Sequence, residues 1–137
     1  MKFSYVENPV KSDILVVVGL DFGTTYSGFT YCHVSDEQLC SHDLWPGAVR
    51  QIKTNTAIQY DEHNNVKFWG GPALAKKQSC KTKNQNVEEG NKPVEMFKLH
   101  LGDLLDELKP KLPVEYKKAI TDYLREFSKV NRTIINR

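Results

Sequence analysis

A chain of 137 residues, 39% apolar and 26% charged, has room for one ordinary domain and is neither disordered nor fibrous in composition. Its net charge of +2 is too small to call for nucleic acid or an anionic membrane as a partner. The longest apolar stretch, Ile14 to Leu20, ends at Asp21 and falls far short of the roughly 20 residues that a membrane helix needs.

No basic segment leads into that stretch and no small-residue cleavage site follows it, which argues against a secretory signal. Cys32, Cys40 and Cys80 are odd in number and widely spaced. They read as reduced thiols in a cytoplasmic protein rather than as a disulfide framework. Cys32, Cys40 and His42 lack the spacing of a zinc site, and His33, His42, His63 and His100 read as structural or exposed. Asn131-Arg132-Thr133 fits a glycosylation acceptor and is taken as incidental.

Residues 1–13 are polar and mixed, a flexible leader. Ile14 to Leu20 is a β-branched run of the kind expected for a strand covered on both faces. Gly23-Thr24-Thr25 is short enough for a hairpin, so Tyr26 to Val34 is expected to return antiparallel. On it Ser27, Phe29, Tyr31 and His33 share one face, and Gly28, Thr30 and Cys32 the other. A third strand is expected within Asp43 to Val49, interrupted or ended at Pro46-Gly47.

Thr56 to Asp61 and Asn65 to Trp69 form a second hairpin candidate with its tip at Asn64-Asn65, residues that tolerate positive φ. Gly70-Gly71-Pro72 stops the strand, and Pro72 opens a short helix. Lys76 to Asn91 reads as a solvated loop, because no aromatic residues interleave its lysines as nucleic-acid binding would require. Pro93 to Leu108 is expected to be helical despite Gly102. Pro113 is placed in the first turn of a last helix, on which Tyr116, Ala119, Ile120, Tyr123, Leu124, Phe127, Val130 and Ile134 make an apolar stripe for packing on a sheet. Strands come first and helices follow, an α/β chain without a sharp linker.

One segment speaks to chemistry. A strand delivers the carboxylate of Asp21 to its own end, Gly23 permits a tight turn, and Thr24 and Thr25 follow with amides and hydroxyls. That layout suits a phosphate tail with a divalent metal: amides and hydroxyls face anionic oxygens, and the carboxylate faces the cation or its waters.

These residues resemble a known family. Val18-Gly19-Leu20-Asp21-Phe22-Gly23-Thr24-Thr25-Tyr26-Ser27 is similar to the first phosphate motif of the seventy-kilodalton heat-shock chaperones, members of the actin-like ATPase superfamily with its ribonuclease H-like fold. Gly28-Phe29-Thr30-Tyr31, Trp69-Gly70-Gly71-Pro72-Ala73-Leu74 and Glu95-Met96-Phe97-Lys98-Leu99-His100-Leu101 are more like the divergent heat shock protein 12A-like branch. Thr54-Asn55-Thr56-Ala57 lacks the Pro-Ser of mainstream members, which also favours that branch.

The resemblance implies an ATP- or ADP-binding segment of a chaperone-like ATPase in which Asp21 holds Mg²⁺ through water. Gly23, Thr24, Thr25 and Tyr26 would line the β- and γ-phosphates. Lys98 would position the attacking water or the γ-phosphate, which requires the first strand and the Phe97 segment to meet at one cleft. Phosphoryl transfer asks for such positioning and charge more than for covalent chemistry.

The resemblance also implies that residues 14–137 are the N-terminal portion of the nucleotide-binding domain, an incomplete first lobe of a hairpin-led antiparallel sheet plus helices. The second phosphate motif, the adenosine motif, and the regions for polypeptide clients and co-chaperones would lie farther on. The first strand is then expected to lack a neighbour, and the chain alone to bind ATP weakly and turn it over negligibly. Two alternatives stand beside this reading: a sugar- or acetate-kinase-type member of the same superfamily, and a non-enzymatic interaction module.

Overall fold

The computed structural model describes residues 15–35, 38–75 and 92–135. The leader at 1–13, the lysine-rich loop at 76–91 with Cys80, and the side chain of Ile134 lie outside the described residues. The chain is mixed α/β, and every strand pairing among the described residues is antiparallel.

The apolar run forms β1 (Val16–Phe22), and the turn at Gly23 returns it as β2 (Tyr26–His33), in register from Val16↔His33 to Phe22↔Ser27. The other edge of β2 is shared by two short strands, β3 (Leu39–Ser41) at one end and β6 (Thr54–Asn55) at the other. Between them, Pro46 and Gly47 turn β4 (Leu44–Trp45) into β5 (Ala48–Val49), so the expected third strand is a small hairpin. A third sheet has the order β8-β7-β9, with β7 (Ala57–Tyr60), β8 (Val66–Trp69) and β9 (Val94–Glu95). Asn64 takes a φ of 59° at the tip between β7 and β8, the left-handed conformation its short amide tolerates. Gly71–Ala75 is the short helix α1.

Two helical expectations are corrected. Pro93 to Leu108 holds no α-helix: Val94 and Glu95 pair with Ile58 and Ala57 on the free edge of β7. Met96 then turns the chain at a φ of 57°, and 3₁₀ turns follow at Phe97–Leu101 and Asp106–Leu108. Satisfying the edge of β7 outweighs the local helical preference of the leucines, and Leu101, Leu105 and Leu108 are left exposed. The last helix, α2 (Tyr116–Ile135), begins three residues after Pro113, which precedes the first turn instead of occupying it.

The reading of β1 as a strand covered on both faces is also corrected: Val17 and Leu20 are exposed at 58% and 57%. Among the described residues β1 pairs only with β2 and stands at the sheet edge, in line with the expectation that it lacks a neighbour. A β-branched run reads the same whether its faces are covered or open, because the sequence does not state what lies on them.

The core lies between the sheets and α2. Tyr123 is fully buried, with ring centroids 6.0 Å from Phe22, 5.9 Å from Trp69, 5.8 Å from Phe97 and 5.9 Å from Phe127. Phe127 and Phe29 continue the cluster to Trp45 of β4. His42 stacks on Phe29, and its Nε2 lies 2.6 Å from the Leu44 carbonyl, a structural histidine as expected.

Asp122 ties α2 to β7. Its carboxylate accepts hydrogen bonds from Tyr60 (3.1 Å), Lys118 (2.6 Å) and Arg125 (2.9 Å). Burial raises the Asp122 pKa, but hydrogen bonds from Lys118 and Tyr60 and the charges of Lys118 and Arg125 outweigh it, so the net shift is downward. A lowered folded pKa means that this contribution is whole above the ordinary value of 3.8 and is lost as pH falls through the lowered one. Asp122→Asn is therefore expected to lower stability at pH 7 by about 1–3 kcal/mol and to flatten the acid limb below about pH 4. Urea titrations at stepped pH measure both, and parallel curves for the two proteins would contradict the assignment.

Candidate functional site: the β1–β2 turn

The turn that links β1 to β2 gathers the residues singled out from the sequence. Asp21 is the penultimate residue of β1, and Gly23, Thr24 and Thr25 make the connection to Tyr26. Gly23 is required by close approach: a Cβ there would stand 2.2 Å from the Tyr26 carbonyl oxygen, to which the Gly23 amide donates at 3.1 Å.

The next two amides are different. Among the described residues neither the Thr24 nor the Thr25 N–H has a hydrogen-bond partner, and neither threonine hydroxyl does. Thr25 and Tyr26 are exposed. Open amides in succession at a tight turn are donors free for an anion.

The turn is held from behind. The Thr25 carbonyl accepts from the Thr56 amide at 2.8 Å, and the buried hydroxyls of Ser27 and Thr56 share a hydrogen bond of 2.7 Å. The Tyr123 hydroxyl donates to the Asn55 carbonyl at 3.1 Å, fixing the adjoining segment to α2. The donors are thus presented by a braced backbone.

Lys98 reaches the turn from the α2 side. Its ammonium donates to the Phe22 carbonyl, across 76 residues of sequence, and lies 5.2 Å from the centre of the Phe22 ring. It sits in the 3₁₀ turn after Met96, whose neighbour Phe97 is fully buried against Phe22 and Tyr123. The meeting of the first strand with the Phe97 segment, which the Lys98 assignment requires, is present.

Lys53 reaches it from the other face and was not singled out from the sequence. Its Nζ lies 2.6 Å from Asp21 Oδ2. The Asp21 pKa is held below the ordinary carboxylate value, first by the hydrogen bond from Lys53, then by the Lys53 charge, with Lys98 adding to it. The sequence offers only an indirect signal: a glycine inside a strand, Gly28, marks a place where another segment comes close without saying which one.

The group types at the turn are those that a hydrated Mg²⁺ on a phosphate chain would use. Mg²⁺ keeps several waters and takes few protein carboxylates, and the turn carries one exposed carboxylate, Asp21, paired with Lys53, together with the open amides and hydroxyls of Thr24 and Thr25, while Lys98 bonds the Phe22 carbonyl. No group of three or more metal-ligating side chains occurs among the described residues, so a dry, fully protein-built metal centre does not fit. The crevice between β1 and α2 behind Asp21, lined by Leu20, Phe22, Tyr123 and Phe127, is only about 10 Å³ and admits no ring.

Lys98→Met is expected to weaken MgATP binding about ten-fold, the effect of one charge-assisted hydrogen bond, while stability changes by about 1 kcal/mol. Isothermal titration together with thermal unfolding measures the two. Unchanged affinity would remove Lys98 from the site.

Comparison with protein-family models, with curated proteins and with solved structures finds no match to this chain. What stands is a mixed α/β chain whose described residues include no helix long and apolar enough to cross a membrane.

Proposed function

We propose that the chain binds the phosphates of ATP or ADP with Mg²⁺ at the β1–β2 turn, as the phosphate-binding segment of a cytoplasmic chaperone-like ATPase of the heat-shock type. The supporting observation is the convergence of Asp21, two open threonine amides and Lys98 on one braced turn, from parts of the chain 76 residues apart. An ordinary tight hairpin needs none of these to converge.

In this reading Asp21 faces the waters of the cation, and Thr24, Thr25 and Tyr26 carry the phosphate oxygens. Lys98 supplies a compact mobile charge to the outer phosphate. ATP hydrolysis, clients and co-chaperones belong to the same proposal and involve regions beyond these residues.

The test is a titration of the purified chain with ATP, with and without Mg²⁺. The reading expects measurable binding that EDTA abolishes. Absence of binding at millimolar MgATP would overturn it. A sugar- or acetate-kinase relative would instead show affinity raised by its second substrate.

A further inference from the structure

We propose that Lys53 is an internal counter-ion for Asp21, which holds the carboxylate when no cation is bound and turns to the phosphate oxygens when Mg²⁺ takes its place. The inference rests on the reading of the turn as a phosphate site, and it gives that site its regulation.

The geometry is built by three strands. Asp21 pairs with Gly28 across β1 and β2. Ser27 pairs with Thr54 across β2 and β6, so the register carries Lys53 beside Gly28. Asp21, Gly28 and Lys53 therefore form one row across the sheet. Strands two apart are separated by roughly 10 Å, a gap that a lysine and an aspartate close only if nothing stands between them.

Gly28 leaves that gap open. A Cβ at position 28 would lie 2.7 Å from the Ile52 carbonyl oxygen and 3.1 Å from Lys53 Cγ, so the lysine stem runs over the glycine to its contact with Asp21. Lys98 approaches the same turn along the Phe22 ring, whose face is the opposite one, and bonds a carbonyl instead of the carboxylate. The two lysines thus have separate duties.

Lys53 and Asp21 are 47% and 59% exposed, so the ammonium can swing away without disturbing the core. A cation arriving alone must displace Lys53 and leave it unpaired. A cation arriving with phosphate gives Lys53 a new partner. Metal and phosphate then bind with positive coupling, each raising affinity for the other.

The test uses Mn²⁺ and inorganic tripolyphosphate as probes on the full chain labelled with ¹⁵N, reading paramagnetic broadening of the amides near Asp21. For the wild type, tripolyphosphate is expected to tighten Mn²⁺ binding about ten-fold or more, within the usual range of coupling between sites. In Lys53→Met, Mn²⁺ alone is expected to bind about five-fold tighter, and the coupling to shrink to about two-fold. Lys53→Arg restores the wild-type pattern.

A purely structural lysine would give no gain in Mn²⁺ affinity on removal. If Lys53→Met leaves Mn²⁺ binding unchanged or weaker while phosphate still binds, the Lys53 assignment is wrong and the phosphate site survives. If tripolyphosphate never binds the wild type, the phosphate site fails and the proposed exchange fails with it. Amide spectra of the variants that overlay the wild type show that the fold is intact.

Discussion

Tyr123→Ala is expected to cost about 3–5 kcal/mol of stability, a large share of the 5–15 kcal/mol typical of a domain. The ring is fully buried and touches aromatic residues from four places: Phe22 of β1, Trp69 of β8, the Phe97 segment and Phe127 of α2 itself. Neighbours on separate elements cannot all close on the vacated space, so the cavity term stays near its upper range. Tyr123→Phe keeps the ring and removes the bond to the Asn55 carbonyl, for about 1 kcal/mol. Urea denaturation followed by circular dichroism measures the pair. A loss under about 1 kcal/mol for the alanine variant would mean that α2 does not join the sheets as described.

Asp21→Asn is expected to abolish the Mg²⁺ dependence of nucleotide binding and to lower MgATP affinity at least about ten-fold, or about 1.4 kcal/mol. Asparagine has nearly the same shape but no charge for a hydrated cation. The variant also breaks the ion pair with Lys53, yet an exposed, solvent-screened pair adds little to stability, so the fold persists. Affinity with stability held fixed therefore separates the site from the scaffold. A non-enzymatic docking module is indifferent to this change, and Mg²⁺-dependent binding that survives it would refute the assigned role of Asp21.

The hairpins were legible because their signals are local. The apolar run into Gly23-Thr24-Thr25 and the Asn64-Asn65 tip specify their turns within a few residues, and both hairpins stand where the residues put them. The stripe on α2 was legible for the same reason, with Ala119, Tyr123 and Phe127 all buried.

What failed depends on distant partners. The Pro93–Leu108 segment carries leucines at helical spacing, but Val94 and Glu95 are claimed by the edge of Ile58, more than thirty residues earlier in the chain. The Ile14 to Leu20 run gives no sign that Val17 and Leu20 stand exposed on β1. Short strands such as β3 and β6 have little pattern of their own and exist because β2 offers them hydrogen bonds.

The candidate site divides in the same way. Asp21, Gly23, Thr24 and Thr25 form one motif and could be read from it. Lys98 came from resemblance, and its bond to the Phe22 carbonyl joins distant parts of the chain that no local pattern links. Lys53 is visible only once Gly28 is placed between it and Asp21.

The central claim is that the β1–β2 turn grips a nucleotide's phosphates, and amide shifts of the ¹⁵N-labelled chain on addition of MgADP test it most directly. The account predicts that the largest shifts fall on Gly23, Thr24 and Thr25, and that they vanish when EDTA removes the metal. Shifts confined to the open groove between Lys92–Met96 and Pro110–Pro113, with the turn unmoved, would contradict it.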